Sequence, residues 1–322
     1  MNRVFQDFAH VWTPVAFSSR LPRARPLRVE VAGTALVLFR DAHGAPAALL
    51  DRCPHRGVAL SLGTVIGGCL QCPFHGWRFA RSGQCVEVPW NPHVRRERLT
   101  ALAVPAVELA GQIWIHTSLG DPPPPPPSVH EALLGTRTRI SGIEMTWNTH
   151  WTRAMENMLD WPHLPFVHRR SIGKDLVALL GERLETRIEP HEWGWRVRTA
   201  LHGQVRPGML DFRRPNQMNL HIPVPGRELT LAVACIPVAE RRTRLLLSAA
   251  RNFARSPLLD GLFNRANRRI AAEDRAIVES SEPPEIPPAR ADHSVPTDRA
   301  TLRFRHYYFS ALKGSACAAP PA

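Results

Sequence analysis

The 322-residue chain has almost no lysine: of its 41 basic residues only Lys174 and Lys313 are lysines, so the net charge of +13 is carried by arginine. With abundant alanine and 31 prolines, that pattern reads as a compositional bias rather than a binding surface. The arginines are scattered, and no basic helix or aromatic–basic alternation tracks a phosphate backbone, which sets nucleic acid aside as a partner. A basic face can still steer an acidic protein partner. Long apolar runs are also missing, and none approaches the roughly 20 residues that cross a bilayer. The opening MNRVFQDFAHVW is not a basic stub followed by an apolar stretch, so it makes a poor signal peptide. Cysteine is sparse, six residues with two of them beside histidines, which argues against a secreted disulfide framework and fits a reducing compartment. The expectation is a soluble, cytoplasmic protein with no membrane and no internal repeat.

What is present is enough apolar sequence, 44% over 322 residues, for about two domains. Residues 1–120 alternate short apolar runs with turn residues, as in LRVEVAGTALVLFRD and GQIWIHT, which predicts an antiparallel all-β domain. The segment DPPPPPPS, residues 121–128, is a semi-rigid extended spacer and marks a domain boundary. Residues 129–322 predict an α+β domain with a central antiparallel sheet. MTWNTHWTRAMENMLDW reads as strand then helix, and 183–250 return to strand alternation. From Leu258 the period becomes helical, with Leu259, Leu262, Phe263, Ala266, Ile270, Ile277 and Val278 on one face ahead of Pro283 and Pro284.

The segment CPHRGVALSLGTVIGGCLQCPFHGWRF holds Cys53 and His55, sixteen intervening residues, then Cys72 and His75. Two thiolates on one iron and two imidazoles on the other are the donors of a Rieske two-iron, two-sulfur cluster. Pro54 and Pro73 stiffen the ligand loops, and Gly57, Gly67, Gly68 and Gly76 permit tight turns whose amides can point at sulfur. Two cysteines and two histidines also satisfy tetrahedral zinc, but zinc fingers pair cysteine with cysteine and here each pair is mixed. Cys69 and Cys72 form a C-x-x-C outside any thioredoxin context. Cys69, Cys85, Cys235 and Cys317 read as packed or free thiols.

CPHRG followed by CPFHGWRF resembles the Rieske signature of ring-hydroxylating and demethylating oxygenases. The respiratory-chain Rieske proteins carry an extra disulfide-forming cysteine in each loop, where this sequence has Val58 and Phe74. Downstream, ENMLDWPHLPFVH places Asn157, Asp160, His163 and His168 in the Asn-x-x-Asp-x-x-His-x-x-x-x-His pattern of the catalytic domain of Rieske non-haem iron oxygenases. Two histidines and a carboxylate make a facial triad that leaves Fe(II) open positions for dioxygen and substrate. Pro162 and Pro165 break an ideal helix and let the histidines converge. The third ligand must come from afar. Asp274, a carboxylate near an apolar helix face, is the first candidate, Glu273 competes, and Asp211 and Asp260 stand behind them.

The resemblance, to the single-component vanillate and dicamba demethylase branch, implies further roles. Asp160 would bridge His75 of one subunit to His163 of the next in a homotrimer, and its ordinary alternative is to orient His163. Asn157 would only support. An NAD(P)H-dependent reductase or ferredoxin would load the cluster, and O2 would be used to monooxygenate, by hydroxylation or oxidative dealkylation, a small aromatic or natural-product substrate. A cis-dihydroxylating dioxygenase, an electron carrier without oxygenase activity and a zinc-stabilised binding module are the alternatives. The C-terminal membrane segment of related chlorophyll-catabolic enzymes is not evident, which argues against that subgroup. Trp161, Phe166, Phe212 and Met218 read as ordinary packing rather than specificity residues.

Overall fold

Short alternating runs separated by glycine and proline become short strands. In the computed structural model, which describes residues 4–119, 123–201 and 203–314, the chain divides into two units, Met1–Pro127 and Ser128–Ala322. Residues 121 and 122 of the expected spacer lie outside the described residues, and 123–130 carry no regular secondary structure.

The first unit is built from β1 (Trp12–Phe17), β2 (Leu27–Val31), β3 (Thr34–Arg40), β4 (Pro46–Leu50), β5 (Thr64–Ile66), β6 (Cys69–Gln71), β7 (Arg78–Phe79), β8 (Cys85–Glu87), β9 (Ala103–Val104), β10 (Ala106–Leu109) and β11 (Gln112–His116). They pair antiparallel into three small sheets, ordered β1-β11-β10, β2-β3-β4-β9 and β5-β6-β7-β8. Val37, Phe39, Leu49, Leu60, Leu70 and Phe79 close a core between the last two sheets, and Cys53 and Cys72 sit at its edge. The hairpin between β5 and β6 is a two-residue Gly67-Gly68 turn, with Ile66 paired to Cys69. Both glycines have positive φ, 58° and 75°, as a type I′ turn requires.

The second unit is a seven-stranded antiparallel sheet carrying a few helices. Its elements are β12 (Arg139–Trp147), α1 (Trp151–Leu159), α2 (Leu164–Val167), β13 (Leu184–His191), β14 (Gly194–Leu201), β15 (Gln204–Arg213), β16 (Gln217–Val224), β17 (Arg227–Ala239), β18 (Arg242–Arg251), α3 (Asp260–Val278) and α4 (Arg299–Tyr307). The strand order is β12-β18-β17-β16-β15-β14-β13. Period-two alternation gives one face to the helices: Phe212 lies 5.6 Å from the Phe304 ring of α4, and Trp151 of α1 packs 5.8 Å from the same ring. The α+β expectation holds, with an all-β first unit and a helix-bearing antiparallel sheet in the second.

Two sequence expectations need correction. The long helix is there, but its buried residues are Ala271, Asp274 and Val278, while Leu262 and Ile277 are 66% and 57% exposed. The helix is rotated away from the apolar stripe because polar anchors at both ends set its orientation: Asp260 is taken by Arg139 and Arg251, and Asp274 meets two histidines. Phe166 is exposed rather than packed, whereas Phe212 and Met218 are buried in the sheet–helix core. Cys85 and Cys235 are buried free thiols and Cys69 is a half-buried one; Cys317 lies outside the described residues.

Candidate metal centres

Two ligand loops with the same backbone plan form the first centre. Cys53 N–H donates to Val58 O at 2.8 Å, and Gly57 N–H returns to Cys53 O at 2.9 Å. In the second loop Cys72 N–H donates to Trp77 O at 2.8 Å, and Gly76 N–H to Cys72 O at 3.1 Å. The closing glycines have φ of 74° and 73°, a conformation that costs a residue with a Cβ. The loops thus tie themselves, and each presents a cysteine inward and a histidine outward. Cys53 and Cys72 are 3% and 2% exposed, while His55 is exposed and His75 half-buried. The two Nδ1 atoms face one another at 3.2 Å, and the Trp77 ring stacks on His55 with centroids 4.4 Å apart. Burial pushes the Cys53 thiol up to about 11, against the pull of the His55 and Arg56 amides aimed at its sulfur. Thiolates in such a place call for a metal.

The four donors do not gather round a single point as a tetrahedral zinc would require: among the described residues, the group whose ligand atoms all lie within 4.8 Å of one another is His163, His168 and Asp274. A thiol pair and an imidazole pair standing apart match two irons bridged by sulfides.

The second centre collects residues far apart in the chain. α1 ends at Leu159, and Asp160 turns back so that its Oδ2 accepts from both the backbone N–H and the Nδ1 of His163, each at 3.1 Å. Pro165 sits inside the short α2, whose C-terminal flank is His168. From the other side, Glu273 Oε2 meets His168 Nδ1 at 2.8 Å and accepts from Ser171 Oγ at 2.6 Å. Asp274 Oδ1 then lies 3.4 Å from His163 Nε2 and 3.0 Å from His168 Nε2.

The tautomers follow from those partners. With each Nδ1–H given to a carboxylate, a neutral imidazole carries its lone pair on Nε2. Two nitrogen lone pairs and a buried carboxylate oxygen therefore converge, an arrangement that repels unless a cation or protons intervene. The protonation balance reports the same demand. Burial lowers His163, but the carboxylates of Asp160 and Asp274 outweigh it and lift it to about 9. Burial raises Asp274, and the hydrogen bonds and charges of His163 and His168 overcome it and hold it at about 2.

Each acidic residue weighed in the sequence now has a place. Glu273, offset by one position on α3 from Asp274, backs His168 through Nδ1 instead of joining the triad. Asp211 is fully buried in a bidentate pair with Arg196 at 2.7 and 3.0 Å and touches His221 at 3.2 Å. Asp260 is held by Arg139 and Arg251 at 2.5 and 2.6 Å. Asn157, half-buried on α1, contributes its carbonyl to Asp160 N–H at 3.3 Å. Sequence reasoning did not foresee the stacking of Trp77 on His55 or the Ser171–Glu273–His168 chain. The adjacent Glu-Asp pair was the available signal for the latter.

Comparison with known proteins defines the class. Residues 11–101 match the Rieske [2Fe-2S] domain, and residues 206–313 the Vanillate O-demethylase oxygenase C-terminal domain. That pairing of a Rieske domain with an oxygenase C-terminal domain, on this fold, makes the chain a member of the Rieske oxygenases, whose cofactors are a 2Fe-2S cluster and a mononuclear iron that works with O2. The chain is 27% identical to chlorophyllide a oxygenase of Chlamydomonas reinhardtii over 94% of its own length and 48% of that protein's. It is 33% identical to the oxygenase component of dicamba O-demethylase of Stenotrophomonas maltophilia, covering 56% of this chain and 52% of that one. The structure of NdmA from Pseudomonas putida CBB5 superposes with a TM-score of 0.80 at 25% identity, covering 95% of this chain and 91% of that one. The chain spans about half the length of the curated relatives it matches over the longest stretches. Among the described residues no helix is long and apolar enough to cross a membrane.

Proposed function

We propose that this protein is an oxygenase component in which Cys53, Cys72, His55 and His75 hold the cluster and His163, His168 and Asp274 hold the mononuclear iron. The observation that carries this reading is the convergence of two Nε2 lone pairs and a buried carboxylate oxygen, each imidazole fixed from behind by its own carboxylate. Fe(II) bound there would supply dioxygen activation beside an organic substrate; with two electrons delivered by way of the cluster and two protons, one oxygen atom would enter the substrate by hydroxylation or oxidative dealkylation and the other would leave as water.

The chain's own residues set the conditions. Asp160 and Glu273 fix the imidazole tautomers and aim both Nε2 atoms at one point. The closed ligand loops keep the cluster thiols out of water and its imidazoles at the surface, where an electron donor can reach them. The side chain of Asp160 stays 28% exposed, so a second partner has access to it. In a homotrimer of the kind the resemblance implies, that partner is His75 of a neighbouring copy, and His75, Asp160 and His163 make the electron path. The donor is an NAD(P)H-dependent reductase or ferredoxin whose acidic surface complements the arginine-rich charge.

Iron and acid-labile sulfide counts test the reading. Three irons and two sulfides per chain, with visible Rieske bands and NADH-dependent oxygen uptake in the presence of a surrogate reductase, are expected. Two irons in fully loaded protein would reduce it to an electron carrier, and colourless zinc protein would end it.

A further inference from the structure

One face of α3 carries polarity that neither centre uses. The helix is pinned at its start, where Asp260 takes Arg139 and Arg251, and Arg251 donates onward to Ser141 Oγ at 3.3 Å. Fourteen residues later Asp274 meets the two histidines. Between these anchors, on the inward face, Asn264 Oδ1 and Asn267 Nδ2 are buried without a hydrogen-bond partner in the protein. Seven residues turn about 700°, some 20° short of two turns, so Asn267 stands nearly in line with Asp274 at about 10.5 Å along the axis, while Asn264, ten residues back, stands about 80° round the helix from it at about 15 Å.

The sheet face that carries the helices has a matching gap. Leu210, Leu220 and Leu231 stand side by side on β15, β16 and β17. All three are only half-buried, whereas Phe212 and Val233, two residues further along the same face, are sealed. Ala249, the neighbour of Leu231 on β18, leads this row toward Ser141 and the anchored start of α3. The half-buried leucine row on the sheet, and on α3 the buried Asn264 Oδ1 and Asn267 Nδ2, offer apolar surface and one acceptor with one donor on the side of the helix that carries Asp274. A buried carboxamide atom is costly when left unpaired, so an acceptor on Asn264 and a donor on Asn267 are groups that a ligand can satisfy.

We propose that Asn264 and Asn267 are the substrate-recognition pair of the iron site, and that the substrate is an organic molecule with an amide-like donor–acceptor edge, such as a carboxamide, lactam or imide, seated against them. A carboxamide offers an acceptor and two donors, so the pair can exchange reciprocal hydrogen bonds with such an edge while the apolar body lies on the leucine row and an oxidisable carbon points toward His163, His168 and Asp274. This inference rests on the iron reading of that triad and adds the substrate class to it.

The test is anaerobic calorimetry on the fully metal-loaded protein with two matched pairs: 4-methoxybenzamide against 4-methoxytoluene, and 6-methoxy-2-quinolone against 2-methoxynaphthalene. At least one amide member should bind about tenfold or more tightly than its hydrocarbon partner. In Asn264→Leu and Asn267→Leu that preference should fall toward unity with iron content and Rieske absorption unchanged, and Asn267→Gln should keep part of it. Equal binding within both pairs, no binding by either amide, or a preference that survives both leucine substitutions overturns the proposal. Loss of folding, or a fall in Tm beyond about 5 °C in either leucine variant, overturns it as well, because the amides would then serve the fold. All these outcomes are read at three irons per chain, whereas failure of the iron reading appears as two.

Discussion

The two centres of this chain are built by opposite means. The cluster donors lie within 23 positions, from Cys53 to His75, and each loop is closed by its own main-chain hydrogen bonds around a glycine of positive φ. The iron candidates span 112 positions, from His163 to Asp274, and are aligned by side-chain carboxylates: Asp160 behind one imidazole and Glu273 behind the other. One centre depends on backbone shape and the other on charge. It follows that the first should fail when a Cβ is added and the second when a charge is removed, each without disturbing its counterpart.

The largest effect is expected at Asp274. Asp274→Ala takes one carboxylate from between two imidazoles and should cost the mononuclear iron and about a thousandfold or more in turnover, metal chemistry being worth several kcal/mol of barrier. The Rieske bands should remain, since no backbone in that centre is touched. Metal analysis beside visible spectroscopy checks both halves; an unchanged iron count would remove Asp274 from the ligand set and return the choice to Glu273.

Asp160→Asn comes next and separates its two roles. Asparagine can still accept from His163 through its carbonyl oxygen, so the iron should stay when supplied in excess. Steady-state turnover should drop by about a hundredfold or more, at the upper end of what the partner of a ligating histidine contributes. Stopped-flow reoxidation of the reduced cluster by O2 should slow in step. Reoxidation at the wild-type rate would leave Asp160 as an orienting residue alone.

Glu273→Gln is the milder version of the same experiment. Loss of the carboxylate behind His168 should weaken iron about tenfold to a hundredfold, measured by chelator competition, with Asp274 still in place. A complete loss equal to that of Asp274→Ala would instead make Glu273 a ligand.

The same contrast explains what the sequence made legible. Cys53, His55, Cys72 and His75 could be named because ligand, spacer and turn glycine are neighbours in the chain, and a loop that closes on itself writes its geometry locally. His163 and His168 were readable only beside that upstream motif, as two histidines five apart mean little alone. Asp274 was picked out as a carboxylate near an apolar helix face, yet Leu262 and Ile277 of that stripe turned out to be exposed. The rotation of α3 is decided by Arg139 and Arg251 at one end and the histidines at the other; all but Arg251 lie more than 100 positions from their partners on the helix, where no local pattern encodes them. One position of rotation separates Glu273 from Asp274, which is why the sequence left them as competitors. The vanillate and dicamba demethylase resemblance was legible, and residues 206–313 match the Vanillate O-demethylase oxygenase C-terminal domain; the substrate was not, because the residues that would discriminate it are drawn from several strands and a helix.

The smallest effect sharpens the backbone half of the comparison, because it can be measured twice in one turn. Gly67 and Gly68, five and four residues before Cys72, form the hairpin, both with positive φ, so alanine carries a left-handed penalty of about 1–2 kcal/mol at either position. Their surroundings differ. A Cβ on Gly67 meets nothing within 4 Å, whereas a Cβ on Gly68 would stand 2.0 Å from the backbone nitrogen of Ala42. That clash is with main chain and cannot be relieved by a rotamer, so Gly68→Ala adds a forced displacement of about 1–3 kcal/mol. Urea titration followed by loss of the Rieske bands should therefore rank wild type, Gly67→Ala and Gly68→Ala in that order, and Gly67→Asn should recover much of the first loss because asparagine tolerates the left-handed region. Iron at the second centre should not respond to any of the three. If Gly68→Ala were no worse than Gly67→Ala, the hairpin would not be clamped against Ala42, and backbone closure of the ligand loops alone would have to account for how the cluster site is held.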